Sequence, residues 1–82
     1  MNAKEMLEKL GYELVPKFVH NDSTILYYSN YHKYINIEFY LEKKEFLKKR
    51  TDFTRSSMNT SMSELQAINK QCEELGWLWW AQ

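Results

Sequence analysis

Tyr34-Ile35-Asn36-Ile37-Glu38-Phe39-Tyr40-Leu41 decides the fold class of this chain. Ile35, Ile37, Phe39 and Leu41 alternate with Tyr34, Asn36, Glu38 and Tyr40, the period of two that sends successive side chains to opposite faces of a strand. One face is expected to be core and the other wet, with Tyr34 and Tyr40 sharing the wet face. Upstream, Thr24 to Ser29 reads as a second strand, set off by the turn Asn21-Asp22-Ser23. Glu13 to His20 is a further strand that Pro16 confines to an edge, because proline cannot donate to a ladder. Downstream, Glu42-Lys43-Lys44 turns the chain into a charged edge strand over 45–50 that carries Phe46 and Leu47. Three to four short β-rich runs separated by turn residues form an antiparallel meander.

Helices flank the meander. Asn2 and Glu5 form a variant of the capping box, and Ala3, Met6, Leu7 and Leu10 recur at helical spacing, so a helix is expected over 2–10. Gly11 stops it by accepting a left-handed conformation. Ser61 and Glu64 repeat the capping pattern before Leu65, Ile68, Cys72 and Leu75, which place a second helix over 62–75, closed by Gly76. Between them, residues 51–61 belong to a hydroxyl-rich loop: seven of the thirteen residues from Thr51 to Ser63 are Ser or Thr. The expectation is one α+β domain over 1–82, a two-layer sandwich with both helices on the face lined by Ile35, Ile37 and Phe39, followed by an aromatic tail over 77–82.

Composition narrows the function. The 82 residues carry 11 Lys plus Arg and 11 Asp plus Glu, so no global field attracts nucleic acid or an anionic membrane. The zero net charge is segregated. Residues 43–55 hold six cations, Lys43, Lys44, Lys48, Lys49, Arg50 and Arg55, against Glu45 and Asp52. The lone Cys72 cannot pair internally, no secretory pattern opens the chain, and no apolar run approaches a membrane span, so a cytoplasmic location without membrane association is expected.

No catalytic, cofactor or metal site is expected. His20, His32 and one Cys do not make a metal-ligand set. Two glycines, Gly11 and Gly76, cannot build a phosphate-binding loop. Cys72 lies on an apolar helix face, where thiols are inert. Glu73 and Glu74 point apart on adjacent helix positions.

Thirteen aromatic residues remain to be accounted for, six Tyr, four Phe and three Trp. Tyr12, Phe39 and Trp77 suit a small core, Trp77 packing back after the stop glycine. Tyr34, Tyr40, Trp79 and Trp80 have no such need and form the candidate protein-binding surface, since Tyr and Trp dominate interface hot spots. The tail is also a candidate for weak homodimer formation. The alternative is a nucleic-acid-binding module in which Lys43, Lys44, Lys48, Lys49, Arg50 and Arg55 track phosphates and tyrosines 28, 34 and 40 stack bases. The same lysines equally serve to keep an exposed edge from pairing with other chains.

The opening Ala3-Lys4-Glu5-Met6 through Leu10-Gly11-Tyr12-Glu13, and Glu64-Leu65-Gln66-Ala67-Ile68 through Glu74-Leu75-Gly76-Trp77, resemble short uncharacterised proteins encoded by phages and prophages of low-GC Gram-positive bacteria. The tyrosine-rich middle with Ile37-Glu38-Phe39 is similar in flavour. The resemblance implies a small accessory protein working in the cytoplasm of a bacterial host, where it binds a host or phage protein and modulates host or defence machinery. It transfers no catalytic residue.

Overall fold

The computed structural model describes residues 1–16, 24–52 and 58–78. The element order is α1 (Ala3–Lys9), β1 (Glu13–Leu14), β2 (Ile25–Asn30), β3 (Ile35–Tyr40), β4 (Glu45–Arg50) and α2 (Met62–Glu74). The protein is α+β, with one helix before and one helix after an antiparallel sheet in chain order. Its contacts divide it into two compact units, one formed by Met1–Leu10 with the chain from Asn59 onward and the other by Gly11–Met58.

In the helical unit, α1 opens with the reciprocal capping box. Asn2 Oδ1 accepts from Glu5 N at 2.8 Å. Asn2 N donates in return to Glu5 Oε1 at 3.1 Å, so two orphan donors at the start of the helix are satisfied. Ala3 and Leu7 are fully buried. Ser61 caps α2, its Oγ accepting from Glu64 N at 3.1 Å. The far end of α2 is a Schellman turn. Trp77 N donates to Cys72 O at 2.9 Å and Gly76 N to Glu73 O at 3.0 Å. Gly76 sits at φ 77°, the left-handed conformation this turn requires. Ala3 meets Glu74 at one end of the helix pair, while Leu10 and Ser63 line a shared hollow at the other, so the two helices run antiparallel.

The buried stripe of α2 is Glu64, Ala67, Ile68, Gln71 and Cys72. The expected stripe ran through Leu65, yet Leu65 is 47% exposed. Spacings of three and four fit both sets. The observed phase turns small Ala67 inward, at zero exposure. Trp77, expected in the core, is half-buried.

In the sheet unit the order β1-β2-β3-β4 is a plain antiparallel meander among the described residues. β1 is short. Val15 N still donates to Tyr27 O at 2.8 Å. Pro16 then ends the ladder because it has no donor; the rest of the expected first strand, residues 17–20, lies outside the described residues. Leu26, Tyr28 and Asn30 of β2 stand opposite Phe39, Ile37 and Ile35 of β3 on one face. Tyr28 sets its ring edge against Phe39 at 6.1 Å, and Phe46 of β4 lies 6.0 Å from Phe39 on the other side. Ile37 and Phe39 are fully buried, so this is the core face that the alternation marked.

Two tight turns join β2, β3 and β4. Each spans four residues and ends on a non-glycine residue in the left-handed region, Tyr34 at φ 56° and Lys44 at φ 55°. Tyr34 therefore stands outside β3, and strand alternation does not govern its side chain. This corrects the expectation that Tyr34 and Tyr40 share a face. The first turn is held by Asn30, whose Oδ1 accepts from Lys33 N at 3.1 Å. Gly11, at φ +98°, sits so close to the buried Asn30 that an added Cβ would lie 3.0 Å from its Nδ2.

Candidate functional site

The opposite face of the sheet was expected to be wet, but its centre is closed. Asn36 is 6% exposed and Glu38 is 3% exposed. Register explains how polar side chains are buried there. Ser29 stands across from Asn36 and Tyr27 across from Glu38, so polar groups meet polar groups. Ser29 Oγ donates to Asn36 Oδ1 at 2.8 Å, and Asn36 Nδ2 donates to the Tyr27 hydroxyl. Glu38 is served from two sides, by the Tyr40 hydroxyl donating to Oε1 at 2.7 Å and by Lys49 Nζ at 3.0 Å from Oε2. A buried carboxylate needs such partners, because an unpaired one costs several kcal/mol.

The partners feel the carboxylate in turn. The hydrogen bond to Glu38 raises the Tyr40 phenol above its ordinary value, with desolvation adding to it. The same contact raises Lys49, hydrogen bonding and charge attraction outweighing desolvation. Both groups hold their protons more tightly because the negative charge favours the protonated donor in each case.

One exposed part of this unit is the β4 edge. β4 follows β3 in the sheet and has no strand on its other side among the described residues. Phe46 is 47% exposed on the core-side face and Leu47 is 45% exposed on the polar face. Tyr40, Lys43, Glu45, Phe46 and Leu47 line a hollow of about 310 Å³ beside the β3–β4 turn. The phase of the ladder is set by Thr51 N donating to Tyr34 O at 2.8 Å. Pairs alternate along an antiparallel ladder, so Glu45, Leu47 and Lys49 address β3 with their backbone groups. Phe46, Lys48 and Arg50 present theirs outward.

The residues singled out from the sequence are dispersed. Tyr34 is 54% exposed at the β2–β3 turn, next to a 62% exposed Tyr31. Tyr40 is half-buried on the polar face at the other end of β3, a full strand length away. Trp79 and Trp80 lie outside the described residues, as does Arg55. Tyr28, offered as a stacking surface, is 2% exposed in the core. The basic segment splits between surfaces. Lys48 and Arg50 share the core-side face with Phe46, Lys49 stands on the polar face, and Lys43 and Lys44 are exposed in the turn. Lys49 is engaged with Glu38. Arg50 makes a two-pronged ion pair with Asp52 at 3.0 and 2.9 Å.

Cys72 is buried, and burial pushes its thiol up, away from the reactive thiolate. Among the described residues no group of three or more His, Cys, Asp or Glu converges to hold a metal ion, and no helix is long and apolar enough to cross a membrane. Sequence reasoning placed Phe46 and Leu47 on an edge strand without making them a site. Their signal is an apolar pair opening a short strand that ends in Lys-Lys-Arg.

No family model matches the chain, and no curated protein or solved structure matches it.

Proposed function

We propose that this is a non-enzymatic protein that works by protein–protein contact, and that the contact is made along β4 and its adjoining turn. The observation that carries this reading is the pair Phe46 and Leu47, close to half exposed on a strand whose outer backbone groups have no strand beside them among the described residues. Such an edge offers main-chain hydrogen bonds for affinity and alternating side chains for specificity, the mode of strand addition. Tyr40 extends the surface into the hollow beside Lys43. Tyr34, Trp79 and Trp80 are secondary candidates. The resemblance to short phage and prophage proteins suggests the setting, an accessory protein in the cytoplasm of a bacterial host whose partner is a host or phage protein.

The nucleic-acid alternative has weaker support. Phosphate tracking wants cations gathered on one surface, whereas Lys49 and Arg50 are ion-paired, Lys48 stands on the core-side face and Lys43 and Lys44 lie in the turn. DNA or RNA titrated at low salt is expected to show no salt-dependent binding.

Immobilised protein offered a bacterial lysate containing a tagged copy of the same chain tests the edge. Retention of a protein that persists on Tyr34→Ala but is lost on Leu47→Lys is the expected result. Retention indifferent to Leu47→Lys, or no retention at all, overturns the proposal.

A further inference from the structure

We infer that Met6 is a reversible oxidation site whose sulfoxide loosens the hold of α2 on α1. The inference is independent of the β4 contact, because both helices belong to the other unit. The chain has four methionines. Met1, Met58 and Met62 are exposed, so a sulfoxide on any of them stays in water and takes nothing from the packing. Met6 differs. It is half-buried, three residues after Ala3 and one before Leu7, the two fully buried residues of α1. With Leu10, Ser63 and Gln66 it also lines an open hollow of about 230 Å³ shared by the two helices. A reagent of peroxide size can thus reach a side chain that the helix contact uses.

The co-reactant is hydrogen peroxide. A lone pair of the Met6 thioether attacks one peroxide oxygen, the S–O bond forming as the O–O bond breaks. The proton on the transferred oxygen passes to the departing hydroxide, which leaves as water. Sulfur is oxidised by two electrons and the peroxide is reduced by the same two. The other oxidisable sulfur inside the unit, Cys72, is buried and its thiol is held protonated, so it does not compete. The product is a polar group where an apolar one was packed, and burying it without a partner is costly. Seven residues of helix do not persist alone in water, so α1 depends on its contacts with α2. Apart from Met6, these are the buried Ala3 and Leu7 and the hydrogen bond from Ala3 N to Glu74.

The test treats the intact chain with hydrogen peroxide, follows each methionine by peptide mass spectrometry and reads α1 by amide hydrogen exchange. Once Met6 is oxidised, the α1 amides are expected to exchange about tenfold faster, the loss that an unanswered buried polar group brings. Early time points, oxidised only at the exposed methionines, are expected to keep the original rates. Methionine sulfoxide reductase with a dithiol is expected to restore them in the fully oxidised protein. Met6→Leu keeps the volume without the oxidisable sulfur and is expected to make α1 indifferent to peroxide, whereas Met62→Leu leaves the response intact. A Met6 that resists oxidation in the folded protein overturns the inference, as do unchanged rates with Met6 fully oxidised. So does an acceleration that persists in Met6→Leu or that follows loss of the Cys72 thiol. Should Met6→Leu fail to fold, the time course in the unaltered chain decides. Acceleration in step with Met6 oxidation supports the inference, and acceleration in step with any other methionine overturns it.

Discussion

Glu74, the last residue of α2, accepts a hydrogen bond through Oε2 from the backbone nitrogen of Ala3, the first residue of α1, at 2.8 Å. The first amides of a helix have no partner within it, and here a carboxylate from the other end of the chain fills that role while meeting the positive end of the α1 dipole. Its neighbour Glu73 turns the other way, toward Lys70 at 3.5 Å. Adjacent acids on one helix thus do different work, one tertiary and one local.

Glu74→Ala is expected to lower stability by about 1 kcal/mol, the worth of one charge-assisted hydrogen bond, and Glu73→Ala to have little effect because exposed i,i+3 pairs contribute a few tenths. Urea denaturation of the two variants measures the difference. Equal losses would show that Glu74 acts only as a helix-surface charge.

The phase of α2 is tested by two truncations on neighbouring faces. Ile68 is 3% exposed and Leu65 is 47% exposed. Ile68→Ala is expected to cost about 2 to 4 kcal/mol, whereas Leu65→Ala is expected to cost less than about 1 kcal/mol. A large loss at Leu65 would restore the stripe expected from the sequence.

Lys49→Met removes the cation from the buried Glu38 and is expected to cost about 1 to 2 kcal/mol, more than an exposed lysine ordinarily would. Adding Glu38→Gln is expected to recover part of the loss, because the neutral amide no longer needs a countercharge. A double-mutant cycle in chemical denaturation reads the coupling.

Alkali is expected to destabilise the fold through the same cluster. Tyr40 and Lys49 are both raised in the folded state, so the unfolded chain gives up these protons first. The stabilisation is complete below the unfolded values, near about pH 10, and is lost as pH climbs through the higher folded ones. Urea midpoints followed from about pH 8 to about pH 11.5 are expected to fall, and to fall less steeply in Tyr40→Phe.

Left-handed positions distinguish the two glycines from the two turn residues. Gly11 combines φ +98° with a prospective Cβ 3.0 Å from Asn30, whereas nothing lies within 4 Å of the same position at Gly76. Gly11→Ala is therefore expected to cost more than Gly76→Ala, where the penalty is backbone strain of about 1 kcal/mol. Lys44→Gly relieves a strained position and is expected to stabilise by up to about 1 kcal/mol. Thermal unfolding of the three variants orders them.

Local chemistry in the chain was enough to establish the elements. Asn2 with Glu5, Ser61, and the Leu-Gly-aromatic endings are short-range capping devices whose partners lie within a turn, so their geometry is written in their spacing. Alternation in Ile35, Ile37 and Phe39 found the core face because burying apolar side chains needs no knowledge of what lies opposite. What the sequence left open depends on partners distant along the chain. Ile37-Glu38-Phe39 cannot reveal that Lys49 answers a buried carboxylate, since that follows from the register of β3 on β4. Nor does alternation reveal that Tyr34 leaves the strand, because the turn into it is held by Asn30 four residues earlier. The choice between two helix phases at Leu65 and Ala67, both consistent with the spacing, depends on what packs against the helix and not on its own periodicity. The sequence by itself determined which segments fold and which face is apolar; only the tertiary structure decided where the polar groups are answered, because those partners are brought together by strand register and not by nearness along the chain.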